Sequence, residues 1–138
     1  MFCLVYVSAA AQIFVDEDLL ALLRQSRRNN ARLGVTGLLL HLGGNFMQAL
    51  EGDEAKVREL HARIAADPRH GQVTTILRLP IAEQRFPDWS MGFANAAAVP
   101  EADRPAFSAF LAAGRSAPAP ESEAIALRLL DRFRQTMR

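Results

Sequence analysis

The chain has 138 residues, half of them hydrophobic and 22% charged, which suits one domain with a proper core and excludes wholesale disorder. A net charge of +1 with scattered basic residues gives no reason to expect a nucleic-acid partner. Cys3 is the single cysteine, so no disulfide within the chain and no cysteine metal cluster is possible. No apolar stretch approaches the ~20 residues of a membrane span. The N-terminus shows no basic region followed by an apolar run and a small-residue cleavage site, so a soluble, cytoplasmic protein is expected.

Residues 2–8 (FCLVYVS) read as a buried strand. Asp16 opens a helix to about Asn29, with Glu17 and Asp18 in its acidic first turn and Leu19, Leu20, Leu22 and Leu23 as its apolar stripe. A second strand runs from Gly34 to His41, Gly43-Gly44 signals a hairpin, and residues 45–52 (NFMQALEG) form the next strand. Gly52-Asp53 begins a second helix whose inward residues are Val57, Leu60, Ile64 and His61, and Asp67-Pro68 ends it. Residues 72–79 make a fourth strand, and Trp89 to Ala94 a short fifth. The order β-α-β-β-α-β plus one strand predicts an α+β, ferredoxin-like sandwich.

After Ala94 the composition shifts to Ala, Pro and Ser. Helices are expected at 103–113 and, with stronger periodicity, from Glu121 to Met137. Two helices cover one face of such a sheet and leave Val5, Val7, Met47 and Ala49 on the other. The C-terminal helices are expected to cover that face, within the chain or across a dimer. The expected domains are therefore 1–95 and a helical extension, 96–138.

Within the third strand, Gln48 shares a face with Phe46 and Leu50. A buried amide must find partners for both its carbonyl oxygen and its NH2 group, and leaving it unpaired costs roughly 1–3 kcal/mol. Either the fold or a ligand supplies those partners. The same parity sets Tyr6 with Leu4 and Ser8, and Trp89 with Met91 and Phe93. If these faces coincide, Tyr6, Gln48 and Met91 or Trp89 converge between the two helices. Asn29 and Asn30 then sit above that space, and Asp67, Arg69 and His70 stand at its mouth. The gathering is rich in amides and holds no nucleophile with a base and no carboxylate pair. Amides that donate and accept suit the edge of a flat heteroaromatic cofactor.

Six stretches in order carry a resemblance to a known family: Leu4-Val5-Tyr6-Val7-Ser8, Asn29-Asn30-Ala31-Arg32, residues 34–39 (GVTGLL), residues 46–52 (FMQALEG), Asp67-Pro68-Arg69-His70 and residues 85–91 (RFPDWSM). Over roughly residues 2–94 the chain resembles the BLUF domain, a blue-light sensor that binds flavin, in its short form with a helical tail. The resemblance implies that the isoalloxazine ring of FAD lies between the helices. Tyr6 would donate an electron to the light-excited flavin, and Gln48 would bridge Tyr6 and the flavin. Electron and proton transfer from Tyr6, followed by return, would leave the Gln48 amide rearranged and the absorption shifted to the red.

By the same resemblance Asn30 bonds the polar edge of the ring, with Asn29 nearby. Ser8 supports the network beside Tyr6, Phe46 and Ile64 contribute to the binding site, and Arg69, His70 and Asp67 hold or shape the ribityl-phosphate end. Trp89, Ser90 and Met91 belong to the strand that relays the change. Many relatives carry a basic residue before the aspartate, where this chain has Ala66, which leaves FMN or riboflavin open beside FAD.

Taken singly, these residues have plainer readings. Tyr6 is then a half-buried strand tyrosine, Asn29-Asn30 a helix terminus, Asp67–His70 a turn, Trp89 and Met91 core, and His41 and His61 core or surface. Two other functions fit the fold class: a small hydrolase of the acylphosphatase kind, for which no anion cradle is visible, and a ligand-free regulatory module. The leading expectation is a photoreceptor rather than an enzyme. It would signal to a downstream partner protein as a homodimer or higher homo-oligomer, with no direct contact to nucleic acid or membrane.

Overall fold

The computed structural model describes residues 1–10, 16–42, 45–68, 70–84 and 92–94. Seven elements follow in chain order: β1 (Phe2–Ala10), α1 (Asp16–Leu33), β2 (Thr36–Leu42), β3 (Asn45–Gly52), α2 (Glu54–Ala65), β4 (His70–Pro80) and β5 (Gly92–Ala94). The sheet order is β4-β1-β3-β2-β5, antiparallel throughout except where β5 runs parallel to β2. This is the predicted ferredoxin-like sandwich with its added fifth strand.

The helices cover one face. Leu19, Leu22 and Leu23 of α1 and Val57 and Leu60 of α2 are buried in one core with Phe2, Leu4, Tyr6, Leu39, Phe46 and Leu50 from the sheet. Each such aliphatic side chain contributes roughly 1.5–3 kcal/mol by leaving water. Val5, Val7, Met47 and Ala49 on the opposite face are buried too. The segment expected to cover them, residues 96–138, lies outside the described residues.

Several boundaries move from their predicted positions. Helix α1 runs on to Leu33, so Asn29 and Asn30 lie inside its last turns and not at its end. Its stop is Gly34, at φ 70, with the Val35 amide donating to the Asn30 carbonyl at 2.9 Å and the Gly34 amide to that of Ala31 at 3.4 Å. That pair of bonds is a Schellman cap, which favours glycine at its left-handed residue. Helix α2 starts at Glu54, capped by Asp53, whose carboxylate accepts from the Lys56 amide at 3.4 Å. Strand β4 is longer than expected, and β5 spans Gly92–Ala94, while the earlier part of the expected fifth strand, from Trp89, lies outside the described residues.

Gly37 of β2 faces the backbone of β3 so closely that a Cβ there would overlap the Ala49 carbonyl oxygen. The chain between β4 and β5 is tied down at Gln84, whose amide donates to Thr36 Oγ1 at 2.9 Å and to the Glu51 carbonyl at 3.3 Å. No helix among the described residues is long and apolar enough to cross a membrane.

Candidate functional site

The centre of the site follows from strand pairing. Strand β3 lies between β1 and β2, and its Gln48 stands opposite Tyr6 on one side and Leu39 on the other. Opposed residues on neighbouring strands project to the same face, so both side chains enter the helix-covered core. There the Tyr6 hydroxyl donates a hydrogen bond to Gln48 Oε1. Tyr6 is wholly buried and Gln48 is 3% exposed. Burial pushes the Tyr6 phenol well above its ordinary pKa, and the nearby Asp67 carboxylate adds to the rise. The phenol therefore stays protonated and able to donate. Opposite β4 the ladder is irregular on both sides of Tyr6, shifting between Val5 and Tyr6 and again between Val7 and Ala9. Such bulges recur beside functional side chains because they re-aim them.

Gln48 separates Tyr6 from a cavity of about 310 Å³ between α1 and α2, within the size range of small-molecule sites. Leu22, Leu39, Leu60 and Ile64 give it apolar walls. Gln25, Ser26, Asn29, Asn30, Gln48, Arg63 and Asp67 supply its polar groups. Asn30 is buried, and its backbone carbonyl is the one held by the α1 cap. Arg63 is half exposed and pairs with Glu59 at 2.8 Å. Apolar walls with an amide-bearing edge match a planar heteroaromatic ring that carries alternating acceptors and donors. Gln25, Asn29, Asn30 and Gln48 are the lining amides able to meet that edge, and Arg63 is the lining cation among the described residues. The residues present thus fit a flavin.

Five residues named from the sequence as cofactor-binding therefore line this cavity: Asn29, Asn30, Gln48, Ile64 and Asp67. Ser8 and Phe46 face each other across the β1–β3 ladder, both buried, two residues along from the Tyr6–Gln48 pair. Phe46 also packs against His41, with ring centroids 4.8 Å apart. His70 opens β4. Arg69, Trp89, Ser90 and Met91 lie outside the described residues. Sequence reasoning missed Gln25, Ser26 and Arg63. Gln25 and Ser26 precede Asn29 and Asn30 by one helical turn, and Arg63 follows Leu60 by three residues, so helical spacing would have found all three.

A further group touches Tyr6. The His61 ring of α2 packs against the Tyr6 ring with centroids 5.4 Å apart and planes tilted by 55°. Its Nε2 is buried without a hydrogen-bond partner among the described residues. Burial holds this imidazole below the usual histidine range, and the Arg78 and Arg58 cations push the same way.

A two-layer sandwich with a cavity between its helices defines a small-molecule-binding α+β domain. Comparison with known proteins narrows this. The sequence pattern of the BLUF family, described as sensors of blue-light using FAD, matches residues 1–92, and the chain belongs to that family. The BLUF domain is a flavin-binding sensor module. The photoactivated adenylate cyclase subunit beta of Euglena gracilis is 42% identical over 89 residues, which are 64% of this chain and 10% of that protein. The chain thus spans about a tenth of the length of such curated relatives. The dark-state structure of BlrB, a BLUF protein, superposes with a TM-score of 0.78 at 32% identity, covering 99% of this chain and 96% of BlrB. BlrP1 of Klebsiella pneumoniae, solved with manganese and cyclic diGMP, gives 0.70 at 29% identity, covering 97% of this chain and 32% of that one.

Proposed function

We propose that this chain is a blue-light photoreceptor whose photochemistry runs through Tyr6 and Gln48. The observation that carries this reading is the Tyr6 hydroxyl bonded to Gln48 Oε1, with Gln48 standing between the tyrosine and the cavity between the helices. Asn29, Asn30, Ile64 and Asp67 hold the cofactor, and Ser8 and Phe46 support the network from β1 and β3. Arg69 and His70 hold the ribityl-phosphate end. FAD is the expected occupant, with FMN or riboflavin as substitutes. When bound, the flavin absorbs blue light and, once excited, accepts an electron.

Tyr6 supplies that electron and passes its hydroxyl proton along the existing bond toward Gln48. The electron and proton then return. Gln48 has two donors and an acceptor on one amide, so it can come back in a second arrangement. Apolar walls exclude water, which would otherwise compete for each of these bonds. Trp89, Ser90 and Met91 relay the rearrangement to residues 96–138. A separate effector protein reads it there, in the cytoplasm, from a homodimer or larger assembly. The similarity to a photoactivated adenylate cyclase subunit supports this sensor role.

The test is a spectrum of the purified, flavin-loaded protein before and after blue light. A reversible red shift is expected, and Tyr6→Phe should keep the flavin and lose the shift. A protein that binds no flavin even when FAD is added, or shows no shift, refutes the reading.

A further inference from the structure

The proposed photochemistry leaves His61 without a task, yet His61 is the ionisable side chain whose ring lies against the electron donor. Its ring centroid is 5.4 Å from that of Tyr6, inside the distance at which a cation acts on an aromatic face. The Tyr6 hydroxyl itself is directed to Gln48. The His61 Nε2 is buried without a hydrogen-bond partner among the described residues, and an unsatisfied buried nitrogen carries a cost.

We infer that His61 is a positioning residue for the electron transfer, a neutral imidazole whose protonation switches off oxidation of Tyr6. This rests on the photoreceptor reading above. The step it controls is the departure of one electron from the Tyr6 ring to photoexcited flavin, with the hydroxyl proton moving toward Gln48. Until that proton moves, the ring carries positive charge. A neutral imidazole leaves this charge unopposed, whereas an imidazolium repels it and also stabilises the unoxidised, electron-rich ring. The groups facing His61 among the described residues are Tyr6 from β1, Arg78 from β4 and Arg58 from its own helix. Both cations favour the neutral form, so at neutral pH the site is set for transfer.

The experiment measures the yield of the red-shifted form per absorbed photon in the flavin-loaded protein, from about pH 8 down to about pH 5, the interval histidine spans. In parallel, nitrogen-15 NMR of the dark protein follows the His61 titration. The yield should fall about tenfold across the range, the size of one decade in rate, with a midpoint that matches the His61 titration. His61→Phe and His61→Gln, either of which suffices if the other fails to fold, should give a flat profile at the full yield. His61→Arg, permanently charged, should give the low yield at every pH.

An acid limb that survives in the folded neutral variants overturns the assignment, as does a normal yield in His61→Arg. Either result leaves the photoreceptor reading standing, because a red shift is still observed. Loss of the shift in the unaltered protein at every pH overturns both.

Discussion

Tyr6 is the only tyrosine in the chain, so alkaline titration reports on the site alone. The folded phenol is held well above its ordinary value by burial first and by Asp67 second, whereas in the unfolded chain it titrates near ~10. The neutral form is therefore favoured by folding, and this contribution is fully present below the unfolded pKa. Above it the unfolded chain sheds a proton that the folded one keeps, so stability falls by about 1.36 kcal/mol per pH unit. From pH 10, where the unfolded phenol is already half ionised, to pH 12 the loss is about 2.3 kcal/mol from this single group. Urea unfolding at each pH measures it, and the difference from Tyr6→Phe, which lacks the group, removes every other titration. Near-ultraviolet absorption by tyrosinate should emerge only as the protein unfolds. Tyrosinate forming near pH 10 in a protein that is still folded would refute the burial and bonding described for Tyr6.

Three further outcomes are expected. In a double-mutant cycle of Tyr6→Phe and Gln48→Leu, measured by urea unfolding with flavin affinities accounted for, the pair should show a coupling of about 1 kcal/mol; strict additivity would mean the bond contributes nothing. Gly37→Ala should destabilise by about 1–3 kcal/mol, read as a lower melting temperature, because its methyl overlaps the Ala49 carbonyl. Leu60→Ala should cost about 2–5 kcal/mol and weaken flavin binding in a fluorescence titration, since Leu60 belongs to both the core and the cavity wall.

The sandwich was legible in the sequence because strand alternation and helical spacing are local signals, and each had a turn residue beside it. The end of α1 was not. Asn29-Asn30 carries the same left-handed tolerance as a terminus, but Gly34, which takes that conformation without a Cβ penalty, sits one turn later and makes the cap. Tyr6 and Gln48 were placed together correctly by parity, since opposed strand residues must share a face. Gln25, Ser26 and Arg63 escaped because a polar residue on a helix resembles a solvated one until the second helix is set beside it. His61 escaped for the opposite reason. Spacing gives it an inward position, and only the distance between two rings distinguishes a filler of the core from a neighbour of Tyr6.

The two ladders that hold Tyr6 are unequal. Toward β3 the register runs unbroken, and toward β4 it slips on either side of that residue. In mechanical terms Tyr6 sits on a seam between a stiff half of the sheet and a compliant one. A displacement of its ring is resisted on the side of Gln48 and yielded to on the side of the sheet's edge.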